Sequence, residues 1–206
     1  MMKTVNFTQM KDGTREEYEF LDDLENGYAR ELPDRIMATL RGLEHTLSGY
    51  KVSRLEHSLQ AATRAYEDGA DEEMIVATLI HDIGDELAPY NHSQYAAAVI
   101  RPYVRPEVTW VINMHGVFQY YYYLDKLGGD KNQRDQYRDH PWFQSCADFC
   151  EKYDQASFDP DYPSKPLAFF EPMVRRIFSR TPFDPAHMGE EAANEDGVDN
   201  RKKGSA

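Results

Sequence analysis

Apolar residues in this chain return at intervals of three and four, segment after segment, and glycine or proline closes nearly every segment. Tyr18, Phe20, Leu21 and Leu24 lie on a charged helical repeat over 15–30. Pro33 suits the first turn of a second helix carrying Ile36, Met37, Leu40 and Leu43, and Gly49-Tyr50 breaks it. A third helix runs from Ser53 to Asp68, with Leu55, Leu59, Ala62 and Ala65 on one face, and Gly69 closes it. Asp71 caps a fourth, MIVATLIHDIG, which Gly84 and Pro89 end. Helices are also expected over 92–101, 108–123, 141–153 and 166–178, with Pro102 and Pro106 as punctuation. No hairpin signal and no internal repeat appears. The pattern predicts an all-α fold.

The chain has 206 residues, enough for one domain with its own core. Residues from Gly189 onward carry almost nothing apolar and read as a disordered tail over 189–206. The formal charge of −13 argues against nucleic acid or an anionic membrane surface as a partner, since both call for a basic face. No apolar run is long enough to span a bilayer, and MMKTVNFTQMKDGT lacks the apolar core of a signal peptide. The only two cysteines, Cys146 and Cys150, read as reduced thiols without further zinc ligands nearby. A cytoplasmic location is the expectation.

The most apolar segment ends in titratable residues: LIHDIGDELAPYNH, from Leu79 to His92. Burying such groups is unfavourable unless they are paired or bound to metal. Of seven histidines, His57, His81, His92 and His115 each sit on or at the start of a predicted apolar helix. One histidine in such a place is ordinarily a satisfied core or surface residue. Four on successive helices, with Asp82 adjacent to His81, point to a metal site. Imidazole and carboxylate together suit iron, manganese or zinc rather than calcium. Asp154, in FCEKYDQASFDPD, offers a further carboxylate.

The order His57, His81-Asp82, His92, His115, Asp154 resembles the HD-domain superfamily over roughly 50–161. Within it, LEHSLQAA and ATLIHDIGD look most like the mixed-valent diiron oxygenases, which include myo-inositol oxygenase and the enzymes that cleave the C–P bond of 1-hydroxyphosphonates. The resemblance implies an HD-domain helical bundle over 51–188 with a dinuclear site in its core, and an N-terminal helical extension, 1–50, packed on it. It implies one iron on His57, His81, Asp82 and Asp154, and a second on Asp82, His92 and His115, with Asp82 bridging. In that branch Fe(III) takes the substrate hydroxyl and Fe(II) activates O₂. A four-electron oxidation then breaks the adjacent C–C or C–P bond. The implied partners are O₂ and a small hydroxylated molecule.

Three positions depart from the phosphonate-cleaving pattern. Asp85 follows HDIG, where many relatives carry a basic residue that handles substrate. Gln119 and Glu151 stand where that branch has lysine and arginine. These replacements point to a cationic or polyol substrate, with Gln119, Glu151 and Tyr122 as contacts. Asp85 and Tyr50 are the candidate catalytic residues. Aromatic faces can hold a quaternary ammonium, and FQYYYY lies close by in sequence, with one or two of its tyrosines, Tyr121 or Tyr122, expected to face a cavity. Lys51, Arg54 and Arg138 are alternative anion contacts whose default is surface solvation. The runner-up reading is a metal-dependent phosphohydrolase of the same superfamily, with manganese as a possible metal. A binding module with a structural metal is a third.

Overall fold

A computed structural model describes residues 3–189. The expected tail therefore lies, Gly189 apart, outside the described residues. Among the described residues the fold is helices and turns without a strand, as the periodicity predicts.

Helix α1 spans Arg15–Arg30 and opens with a capping box, in which Thr14 accepts from the Glu17 N–H and the Glu17 carboxylate accepts from Thr14 N–H. It buries no residue. Helix α2, Leu32–Gly42, turns Ile36, Met37 and Leu40 inward, and Leu43 continues the stripe in the turn that follows. Helices α3 (Arg54–Glu67) and α4 (Glu72–Ile80) start at Ser53 and Asp71, whose side chains accept from backbone N–H groups three residues on. Helix α5 is His92–Ile100, α6 Pro106–Gln119, α7 Phe143–Phe149 and α8 Leu167–Phe178.

Helix α4 is the centre. It buries Ile75 through Ile80 without a polar stripe, as expected of a helix surrounded by others. Helices α3, α6 and α8 pack against it, and α5 and α7 both pack on α6. Helix α2 packs on α8, and its apolar residues belong to the same core as α3 to α8.

Three boundaries differ from expectation. Helix α4 stops at Ile80 rather than Gly84, and the chain continues through tight turns in which Ile83 N–H bonds Ile80 O and Asp85 N–H bonds Asp82 O. Helix α6 ends at Gln119, and Tyr120–Tyr122 forms a single 3₁₀ turn. Helix α7 spans Phe143–Phe149 rather than 141–153. It widens over Cys150–Asp154 into a π turn, closed by Gln155 N–H on Cys150 O. The stretch 124–137, which carries no periodic signal, forms short 3₁₀ turns.

Because α2 shares one core with the site-bearing helices, truncating Leu40, fully buried, to alanine should lower stability by about 2–5 kcal/mol. Urea unfolding should show this loss within a single cooperative transition.

Candidate metal centre

His57, His81, Asp82, His92, His115 and Asp154 converge in the interior. His57, His81, Asp82, His115 and Asp154 are buried, and His92 is half-buried at the edge. Their elements explain the convergence. His57 lies one turn into α3, His81 and Asp82 follow the last turn of α4, His92 opens α5, His115 is on the inner face of α6, and the π turn presents Asp154.

Hydrogen bonds set the protonation of three imidazoles. His57 Nδ1 lies 2.9 Å from Ser157 O, His81 Nδ1 2.7 Å from Thr78 O and His115 Nδ1 2.6 Å from Ile112 O. A carbonyl only accepts, so each Nδ1 carries the hydrogen. In the neutral ring each Nε2 then presents a lone pair. A carbonyl partner behind the ring is also how metal-ligating histidines are oriented.

These lone pairs point at one another. His57 Nε2 and His81 Nε2 are 3.1 Å apart. Asp154 Oδ1 lies 3.3 Å and 3.6 Å from them, and Asp82 Oδ2 3.4 Å and 3.3 Å. The other oxygen of Asp82, Oδ1, is 3.5 Å from His92 Nε2 and 3.5 Å from His115 Nε2. Asp82 thus faces two donor sets, one with each oxygen. Adjacent donors on an octahedral ion with bonds of about 2.1 Å lie about 3.0 Å apart. The observed separations fit that spacing, and the N/O donor set fits iron, manganese or zinc.

Without metal, protons must supply the missing charge. Burial acts to lower His57 and His81, but Asp82 and Asp154 prevail and raise both, His81 strongly. Burial acts to raise Asp82, yet the charges on His81 and Arg54 hold it well below the usual carboxylate range. Asp154 is likewise depressed against the effect of burial, by hydrogen bonds from His57 and His81. Burial lowers His92, the most peripheral of the four.

A cavity of about 790 Å³ opens onto the cluster. Tyr50, Gln119 and Tyr122 line it, as do Tyr120, Tyr123 and Phe158. Burial first, then the Cys150 and Glu151 charges, push the Tyr122 phenol up to about 12, so it stays a neutral hydroxyl. Phe158 is sandwiched between His57 and Tyr50, with ring centroids at 4.4 Å and 5.0 Å.

Several expectations for the cavity need correction. Glu151 is exposed and is not part of the wall. Asp85 is not a wall residue either. Its Oδ2 accepts at 2.5 Å from Arg54 Nε, and its Oδ1 lies 3.7 Å from His92 Nδ1. Tyr50 does line the cavity, half exposed and stacked on Phe158. Three tyrosines of FQYYYY face the cavity rather than one or two, because the 3₁₀ turn after Gln119 changes their directions. Tyr121 faces outward under Arg134. Arg54, expected at the surface, is nearly buried against Asp82 and Asp85. Lys51 is exposed, and Arg138 pairs with Asp135 at the surface.

Four residues of the LEHSLQ phrase have visible roles. Glu56 accepts from Ser164 Oγ at 2.5 Å, His57 is a donor to the cluster, and Leu59 is core. Gln60 Nε2 donates to Asp159 O at 2.6 Å, which ties down the loop that supplies the Ser157 carbonyl. Gly84 permits the close approach of α5. A Cβ there would stand 3.0 Å from His92 Cα and 2.9 Å from Tyr95 Cβ.

No protein-family model matches the chain, and no curated protein is found to be similar to it. Among the described residues no helix is long and apolar enough to cross a membrane. Cys146 and Cys150 are free and buried.

The raised imidazoles stabilise the metal-free protein fully below their unfolded pKa of about 6.5, and lose that contribution as pH rises through their folded values. The depressed carboxylates stabilise it above their unfolded value of about 3.9 and lose that contribution as pH falls through their folded values. Thermal unfolding of chelator-treated protein should therefore show stability declining from neutral toward alkaline pH, and saturating divalent metal should remove that decline. Gly84→Ala should displace His92 and lower the metal content at saturation, measured by elemental analysis, while the His57 side retains its metal.

Proposed function

We propose that this chain is a non-heme diiron oxygenase of the HD-domain type, which binds a small hydroxylated substrate and oxidatively cleaves the neighbouring C–C or C–P bond with O₂. The observation that carries the reading is the division of Asp82, whose two oxygens face two separate sets of imidazole donors. One iron would be held by His57, His81, Asp82 and Asp154, the other by Asp82, His92 and His115. Such a pair, when bound, supplies Lewis acidity toward a hydroxyl and one-electron steps with O₂.

The chain's own contribution is orientation and exclusion. Carbonyls of Ser157, Thr78 and Ile112 hold three imidazoles with Nε2 inward, so the donor set is ordered before metal arrives. Held by the six candidate ligands alone, such a pair of ions would keep positions open for a substrate oxygen and O₂. Tyr120, Tyr122, Tyr123 and Phe158 cover the cavity with aromatic surface, which limits the water that reaches the centre. Gln119 and the neutral Tyr122 hydroxyl are the polar wall groups available to orient a substrate. In the balanced reaction, one O₂ accepts the four electrons released at the substrate's hydroxyl-bearing carbon and the bond beside it.

The test is an EPR spectrum of protein loaded anaerobically with iron and partly oxidised in the presence of ascorbate. A coupled Fe(II)/Fe(III) signal, perturbed by a hydroxylated substrate, is the expected result. Full metal occupancy without a coupled signal, together with anaerobic turnover of phosphomonoesters or nucleotides by the manganese-loaded protein, would replace the oxygenase by the phosphohydrolase. Asp154→Asn should abolish the coupled signal, because it removes an anionic donor from the buried His57–His81 side.

A further inference from the structure

The acidic residues that pointed to a cationic substrate do not face the cavity. Glu151 is exposed, and Asp85 is committed to an arginine. Arg54 opens α3 three residues before His57, so the two side chains share a helical face. Its side chain is 11% exposed and lines the cavity. Among the described residues of that wall it is the one lysine or arginine.

We infer that Arg54 is the specificity-determining residue of the cavity: its guanidinium receives an anionic group carried beside the substrate hydroxyl, and Asp85 is the side chain that holds it in place. The inference rests on the metal-centre reading above and adds the charge of the substrate to it.

Three observations carry it. The first is the use of the fork. Arg54 Nε and Nη2 both lie 2.5 Å from Asp85 Oδ2, and Nη2 lies 2.8 Å from Asp82 Oδ2. Nη1 takes part in none of these bonds. A guanidinium held on one edge keeps donors on another.

The second is charge. Two divalent ions exceed the charge of the two aspartate ligands, and Asp85 offsets only Arg54. The loaded site would then carry a positive surplus, which favours an anion. The third is preorganisation. Asp85 fixes the arginine on one side, and the Tyr50 ring lies 5.6 Å from its guanidinium carbon, so little side-chain freedom remains to be lost on binding. Carboxylate and phosphonate both match a guanidinium fork, so the shared chemistry is a small 2-hydroxy acid or 1-hydroxyphosphonate.

Three probes differing only in one substituent test this: propane-1,2-diol, 2-hydroxypropanoate and 1-hydroxyethylphosphonate. Metal content is measured first, then binding by calorimetry to the metal-loaded full chain. Wild type should prefer the anions to the diol, and the better-bound anion identifies the acid group. Arg54→Gln should retain its metal and lose roughly 10–100-fold of the preference, in line with removing a charge-assisted bond. Arg54→Lys should restore part of it, since the charge returns without the fork. Asp85→Asn should cost less than Arg54→Gln; the reverse order would make Asp85 itself the contact and overturn the inference. An unchanged anion-to-diol ratio in metal-loaded Arg54→Gln would also overturn it, and would leave Arg54 as a counterion of Asp82 and Asp85. Wild-type protein that takes up no metal would instead defeat the metal-centre reading, a result visible before any probe is added.

Discussion

A carboxylate buried among four imidazoles is unfavourable unless positive charge reaches both of its oxygens. Asp82 is in that position, with His57 and His81 on one oxygen and His92 and His115 on the other. The surrounding architecture serves this arrangement. Helix α4 is apolar all round and delivers His81 and Asp82 to the middle of the bundle. The chain must then leave the helix at once, because a continued helix would carry Gly84 and Asp85 away from α5 and Arg54. The tight turns after Ile80 and the absence of a Cβ at Gly84 bring His92 back to the same carboxylate.

The second support is the loop from Ser157 to Lys165, which is laced to α3. Gln60 grips Asp159, Thr63 accepts from the Lys165 N–H, and Glu56 accepts from Ser164. This lacing is what holds the Ser157 carbonyl against His57 and stacks Phe158 on the imidazole. Glu56, Gln60 and Thr63, polar residues unusual for a core helix, are accounted for by the loop they anchor.

Much of this is legible in the residues. The 3.6-residue spacing locates α1 to α8, and Ser53 and Asp71 mark the starts of α3 and α4 because capping is local. The six candidate ligands are legible because titratable groups placed on successive apolar helices must meet in the interior, where only pairing or a metal can offset their desolvation. What is not legible depends on geometry that no local pattern encodes. The π turn at Cys150–Asp154 leaves no mark in composition, since an extra residue in a helical turn changes direction rather than chemistry. The directions of Tyr120 to Tyr123 follow from where α6 ends. Asp85 and Glu151 have wall residues as near neighbours in sequence, yet their own side chains turn elsewhere. Arg54 does carry a signal: its offset of three from His57 puts it on the inner face of α3, where a solvated arginine has no place.

The contacts that complete the candidate centre join segments far apart in the chain. The His57 ring and the Ser157 carbonyl are separated by 100 residues of chain, and Gln60 and Asp159 by 99. Contacts of such high sequence separation close large loops and are entropically disfavoured until most of the intervening chain is in place. The His57 side of the cluster is therefore expected to form late in folding, once α4 to α7 have docked. A nascent chain that ends just before Ser157 has every candidate ligand but lacks the carbonyl that orients His57. An ion held there would favour the finished molecule over a partly folded chain, as a latch does, rather than nucleate the fold.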